Sequence, residues 1–209
     1  KNPKMKIIQA THTTELAVNF GRKTKNLIDS DDYKNIFPEV RLAADSKASG
    51  RWDTASGGMY YAVGVGSNLA GRGGDLVIID DPHSEQTAMS ANGFEDAWDW
   101  YTGGPRQRLQ PGGSIVLVQT RWSEKDMTGQ LLRAMAKDPL ADQWEVVELP
   151  AIFDDDTPCW PEFWSMEDLT AVRASIPPSK WNAQYQQNPT GEENAIIPRQ
   201  WWKRWDKDA

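Results

Sequence analysis

The stretch "GGDLVIIDDPHSE", residues 73–85, closes an unbroken apolar run, Leu76 to Ile79, with two adjacent aspartates, Asp80 and Asp81. Aliphatic residues in a row, with no polar residue between them, describe a strand buried on both faces, as in the middle of a parallel sheet. A single carboxylate at such a strand end is an ordinary turn former or helix cap. Two together, with Pro82 stopping the strand behind them, raise the question of what they hold.

Working outward from that strand, elements alternate. "MKIIQA" (5–10) is a short apolar strand that leads into a helix capped by Thr13 or Thr14 and carrying Leu16, Phe20, Leu27 and Ile28. Residues 29–59 are rich in Asp, Ser, Gly and Pro and give no regular pattern, until "MYYAVGV" (59–65) reads as a strand. After the Asp80 strand comes a helical stretch, "AWDWYTGGPRQRL", broken at Gly103, Gly104 and Pro105. "PGGSIVLVQT" (111–120) is a turn followed by a second apolar strand with the character of a central one. "SEKDMTGQLLRAMAKD" is a helix with Ser123 as its N-cap, Glu124 in its first turn and Met127, Leu131 and Met135 on one face. "WEVVELP" (144–150) reads as one more strand, and 151–209 as a Pro- and Trp-punctuated extension with one or two short helices. Strands separated by helices imply βαβ units: an α/β fold whose mostly parallel sheet is covered by helices on both faces. Ligands of such folds sit beyond the carboxyl ends of the strands. That edge collects Asp80, Asp81, Gln119, Thr120 and Arg121.

Composition narrows the function. The chain of 209 residues can bury a full core, and no apolar run in it is long enough to span a bilayer. The lone Cys159 excludes an internal disulfide and suits a reducing compartment. A net charge of -7 argues against a surface that sheathes nucleic acid, so any DNA contact is expected to be local. His12 and His83 are too far apart to suggest a metal pair and are expected at the surface or in caps.

An apolar strand ending in two acids is also the layout of a Walker B element. There the first acid holds Mg²⁺, usually through water, and the second orients the attacking water. Three segments, in this order, extend the pattern: "GVGSNLAGRGGDLVIIDDPHS", "RLQPGGSIVLVQTRWSEKDMTGQLL" and "WNAQYQQNP". Together they resemble the large subunit of tailed-phage terminases, the motor that packages viral DNA. The resemblance runs from "KIIQATHTTELAVNFGRKTKNLI" to "IIPRQWWKRW" and is carried by the combination of GRGGDLVIIDDP with VQTRWSEKDMTG.

The resemblance implies a P-loop NTPase core of the ASCE/RecA-like kind, followed in the family by an RNase H-like nuclease domain. By matching motif, Asp80 corresponds to the Mg²⁺ ligand and Asp81 to the catalytic carboxylate, where many relatives have Glu. Gln119, Thr120 and Arg121 resemble the coupling motif that senses the γ-phosphate of ATP. Arg72 resembles the arginine of the loop before the Walker B strand, and the loop is expected to carry it to the rim of the nucleotide edge. ATP and Mg²⁺ are the implied cofactors. The implied partners are double-stranded viral DNA, a small terminase subunit, a portal protein and further copies in a ring on the procapsid, in the host bacterial cytoplasm and away from membranes. No G-x-x-x-x-G-K-[ST] loop occurs in the chain; in the family it precedes the "KIIQA" strand. The chain is therefore expected to be an excised ATPase core, 1–150, lacking its phosphate-loop unit and inactive alone. Residues 151–209 are then a subdomain or linker towards an absent nuclease domain. Two other classes compete: a metal-dependent nuclease built on the same acidic edge, and a non-catalytic assembly fragment.

Overall fold

The structure, a computed structural model, describes residues 2–46 and 48–189. The chain divides into two compact units, Lys1–Gln119 and Thr120–Ala209. The boundary suggested by motif content, 150/151, lies inside the second unit.

Five strands form one sheet in the first unit: β1 (Lys6–Thr11), β2 (Arg51–Asp53), β3 (Met59–Gly64), β4 (Gly74–Asp80) and β5 (Leu109–Val118). Their order is β2-β3-β1-β4-β5, and every pair is parallel except β2 with β3. β4 is an interior strand, as its apolar run predicts; Val77 and Ile79 on one face are fully buried, whereas Leu76 and Ile78 on the other are half-buried. β5 departs from expectation. It is an edge strand among the described residues, with Val116 and Val118 exposed, because only its β4 side has a neighbour. A strand's own residues report that it is apolar; which strands flank it depends on the rest of the sheet.

The link from β1 towards β3 contains α1 (Thr14–Asp29), whose N-cap is Thr13: its hydroxyl accepts the Leu16 N–H at 3.3 Å. α1 packs on the sheet through Ala17 and Ile28, together with Trp52, Tyr60 and Ala62. The Trp52 and Tyr60 rings stack at 4.8 Å, and Trp52 Nε1–H donates to the Gly21 carbonyl at 3.1 Å. Gly21 has to be glycine: a Cβ there would meet the Ser49 carbonyl oxygen at 2.5 Å. Burial pushes the Tyr60 phenol up to about 12. The irregular stretch after α1 holds a short helix, α2 (Asp31–Ile36), before β2.

Between β4 and β5 lie α3 (Glu85–Met89), α4 (Gly93–Gly103) and α5 (Pro105–Arg108), with the break at Gly103–Pro105 where the sequence puts it. α4 is tied to the β3–β4 loop by Trp100 Nε1–H, which donates to the Ser67 carbonyl at 3.0 Å.

The second unit contains α6 (Met127–Lys137), α7 (Met166–Ser175), α8 (Pro178–Lys180) and a π-helical turn, Trp181–Tyr185. The predicted helix face holds, with Met127 and Leu131 buried. The predicted cap does not. α6 begins at Met127, and its N-cap is Asp126, whose carboxylate accepts the Gly129 N–H at 2.9 Å. Ser123 and Glu124 lie before the helix. "WEVVELP" is not a strand either: 144–150 contains no regular structure, because no described strand pairs with it. Strand propensity needs a neighbour to become a ladder.

Candidate functional site

The carboxyl edge of the sheet is assembled by strand register. Thr11 at the end of β1 stands opposite Asp80, and Asp80 stands opposite Val118 at the end of β5. Asp81 continues the ladder for one more bond, donating its N–H to the Val118 carbonyl at 2.8 Å, and then turns with φ of 43°. That left-handed conformation is one that Asp and Asn adopt more readily than other residues with side chains. It also takes the second carboxylate out of the strict up-and-down alternation of the strand.

The environment of Asp80 is unfavourable for its charge. Burial raises its pKa, the Asp81 carboxylate raises it further, and His12 lowers it without restoring the balance. A carboxyl with a raised native pKa binds protons more readily when folded, so stability falls as pH rises through the window between the ordinary and the raised value. Above that window the penalty is fully present. Asp80→Asn, which removes the charge and keeps the shape, should therefore melt higher than wild type at pH 7, with the difference shrinking on acidification. Thermal unfolding followed by circular dichroism at pH 7 and pH 4 measures this; an Asp80→Asn protein less stable than wild type at pH 7 would show that the carboxylate is structural.

His12 was missed by the sequence reading. It is half-buried: it follows Thr11 off the end of β1, close enough to Asp80 to act on its charge, and its Nδ1 is buried with no hydrogen-bond partner among the described residues. The available signal was topological, since parallel neighbours deliver their following residues to the same edge. An open cleft of about 460 Å³, lined by His12, Thr13, Asn19, Arg22 and Ser49 among others, begins at this residue. His83 is not at the surface. It is 2% exposed and meets the Phe94 ring edge-on, centroids 5.0 Å apart.

Gln119 follows β5 directly, one residue past the Val118 that faces Asp80. Both its Oε1 and its Nε2 are buried, and neither has a hydrogen-bond partner among the described residues. Leaving a buried amide unsatisfied costs about 1–3 kcal/mol per group. An amide held that way at a sheet edge is a donor and an acceptor ready for a ligand.

Arg72 is placed elsewhere. It precedes Gly74, at the amino end of β4, and a strand of this length, with a rise of about 3.3 Å per residue, separates that end from Asp80 by roughly 20 Å. Its guanidinium lies 4.1 Å from the centre of the Tyr61 ring and donates to the Asn68 carbonyl at 3.4 Å. Tyr61 is level with Ile8 and so with Val77, three residues short of Asp80. The structure does not bring Arg72 to the acid pair.

Thr120 and Arg121 open the second unit. Thr120 is half-buried, and Arg121, 9% exposed, is engaged: its Nε–H meets the Asp126 carboxylate at 3.0 and 3.2 Å. Asp126 is fully buried and also accepts the Trp122 and Ser123 N–H groups at 2.9 and 3.2 Å. One carboxylate thus ties the segment after β5 to the start of α6. Gly129 lets the turn close, since a Cβ there would meet the Glu124 carbonyl oxygen at 2.1 Å. Asp126→Ala should cost about 3–5 kcal/mol, as it strands a buried guanidinium and removes a cap. Asp126→Asn, which keeps an acceptor, should cost less. Urea unfolding of the two variants checks the order; a loss below about 1 kcal/mol for Asp126→Ala would mean that the pair contributes little.

The sequence matches no protein-family model and no curated protein. The fold does have solved counterparts. The HK97 bacteriophage large terminase superposes with a TM-score of 0.54 at 18% identity, covering 87% of this chain and 39% of its own length. An arginine-to-alanine mutant of the Thermus phage P74-26 large terminase ATPase domain gives 0.55 at 12% identity, covering 88% of this chain and 76% of its own. The chain therefore has the α/β fold of phage large-terminase ATPase domains and spans about two fifths of the HK97 protein. No helix among the described residues is long and apolar enough to cross a membrane.

Proposed function

We propose that the chain carries part of the nucleotide-hydrolysing core of a DNA-packaging motor of the large-terminase kind, residues 1–150, with 151–209 a subdomain or linker beyond it. The supporting observation is the meeting of two unsatisfied groups at one sheet edge: Asp80, whose charge burial and Asp81 disfavour, and Gln119, whose buried amide lacks partners. A cation relieves the first, and a phosphate with its attacking water satisfies the second. In this reading Asp80 holds Mg²⁺, Asp81 orients the attacking water, and Gln119, with Thr120 and Arg121, senses the γ-phosphate. Mg²⁺ suits such an edge because it keeps several waters and needs only one or two carboxylates besides the phosphates, whose charge it would neutralise. The Arg121–Asp126 pair gives Arg121 a second part, carrying any movement of the Gln119–Thr120 segment into α6. The ATPase core corresponds to residues 1–150, the cargo is double-stranded viral DNA, and the remaining partners are a small subunit, a portal and further copies in a ring.

A two-metal nuclease is the runner-up, and the site favours it less. Such centres need carboxylates converging from several strands, whereas the strand beside Asp80 delivers an amide. The test uses a longer form of the chain that includes a Gly-Lys-Ser/Thr loop. Mg²⁺-dependent ATP hydrolysis lost on Gln119→Ala supports the motor reading, and DNA cleavage dependent on Asp80 without ATP turnover overturns it.

The 209-residue chain itself should bind ATP no more tightly than millimolar. A phosphate loop contributes several charge-assisted hydrogen bonds of about 1.5–3 kcal/mol each, and the chain has no sequence of that kind. Calorimetry that finds micromolar, Mg²⁺-dependent binding would contradict this.

A further inference from the structure

The second unit contains an open cleft of about 860 Å³, lined by residues between Arg121 and Pro189. Its apolar part is Leu132, Ile152 and Phe153, the last 40% exposed. It also presents charges of both signs. Arg133, Glu148 and Asp154 are all exposed, and none is ion-paired among the described residues. One wall is firmly built. The Gln186 side chain accepts the Ile152 N–H at 3.1 Å and donates to the Ile152 carbonyl at 3.0 Å, while the Ala151 N–H donates to the Tyr185 carbonyl at 2.7 Å. The chain then turns at Gln187, with φ of 55°. The Asn188 N–H donates to the Asn182 carbonyl at 2.8 Å, and Pro189, buried, is the last described residue on the lining. The wall therefore delivers the chain to the cleft itself.

The sequence that comes next, "TGEENAIIPRQ" (190–200), lies outside the described residues, and its pattern is complementary to that surface. Two acids, Glu192 and Glu193, precede an apolar pair, Ile196 and Ile197, and Arg199 follows. The cleft offers a free base, an apolar floor and two free acids. We propose that Ile196–Arg199 docks in this cleft within the same chain. Ile196 and Ile197 would cover Leu132, Ile152 and Phe153, Arg199 would meet Glu148 and Asp154, and Glu192 and Glu193 would face Arg133. Six residues lie between Pro189 and Ile196, enough chain to span about 20 Å, against roughly 10 Å for the width of a compact cleft of this volume. Closing so short a loop costs little entropy, so modest contacts suffice to hold the segment. It would then lie beside Arg121, the residue that Asp126 ties to the start of α6. This inference does not depend on the nucleotide reading.

Trypsin cuts after Arg199, so the rate of that cut in the 209-residue chain, followed by mass spectrometry, reports how often the segment leaves the cleft. The Arg199–Gln200 bond should be cut at least about tenfold more slowly in the chain than in a synthetic peptide of residues 190–209. Phe153→Asp, at a position already exposed, should remove most of that protection and leave the circular dichroism spectrum unchanged. Ile197→Asp should do the same, compared with a peptide carrying the same change. Glu148→Lys combined with Asp154→Lys should also speed the cut, by a factor that shrinks at high salt. A bond cut as fast in the folded chain as in the peptide would overturn the proposal, as would protection that survives all of these variants. Protection that rises with protein concentration would overturn it too, because the cleft would then be filled by the segment of a second copy.

Discussion

Asp81→Asn, in a longer form of the chain that carries a phosphate loop, is expected to bind ATP as wild type does and to turn it over about 10²–10⁴-fold more slowly. The backbone makes this substitution a clean one. Asp81 sits at φ of 43°, a conformation in which Asn is as comfortable as Asp. The N–H that reaches the Val118 carbonyl is untouched. What changes is one charge, and with it the ability to accept a proton from water. Removing that charge also relieves Asp80, whose pKa Asp81 helps to raise, so metal-dependent binding should not suffer. Asp80→Asn in the same background should weaken Mg²⁺-dependent ATP binding as well as turnover. Unchanged turnover in Asp81→Asn, measured by phosphate release under saturating ATP, would remove Asp81 from the chemistry. Loss of the circular dichroism spectrum in both variants would make the pair structural.

The parts of this site that were readable in sequence are those whose position follows from one strand alone. The apolar run of β4 fixes where Asp80 falls, and the run of β5 fixes where Gln119 falls, because a buried strand ends where its first persistent polar residues begin. The parts that were not readable depend on neighbours. His12 joins the edge only because β1 lies beside β4 in parallel register. β5 is exposed, although its residues would suit a central strand, because its second side has no described partner. Residues 144–150 fail to form a strand for a related reason. The cap of α6 is Asp126, three residues beyond the expected Ser123. Asp126 wins over Ser123 because its carboxylate can serve Arg121 and three backbone N–H groups at once, which a hydroxyl with one proton of its own cannot. Arg72 is the largest displacement from expectation: a glycine-flanked loop residue carries no periodicity to say which end of the sheet it occupies.

That displacement shapes the last expected result. Arg72 is held against Tyr61 near the amino half of the sheet, so a part for it in phosphoryl transfer requires a different nucleotide from the one at its own Asp80. A planar, permanently charged group parked on an aromatic ring at a half-buried position is suited to that: it is ordered and can be presented to a neighbouring copy. Supplied in trans, such an arginine is worth about 10³–10⁵ in rate. Full-length Arg72→Ala subunits and full-length Asp81→Asn subunits should each be nearly inactive in homogeneous assemblies. Mixed, they create interfaces in which an intact Asp81 site faces an intact Arg72, and ATPase activity should return in proportion to the number of such interfaces. With equal amounts of the two subunits distributed at random, about a quarter of the interfaces have that composition, so recovery near a quarter of the wild-type rate is expected by simple counting on the trans mechanism. No recovery in assemblies shown to be mixed would leave only a cis role, which the distance along β4 opposes. A fully active Arg72→Ala assembly would reduce the arginine to what its contacts already display, a cation stacked on Tyr61 that closes the loop before β4.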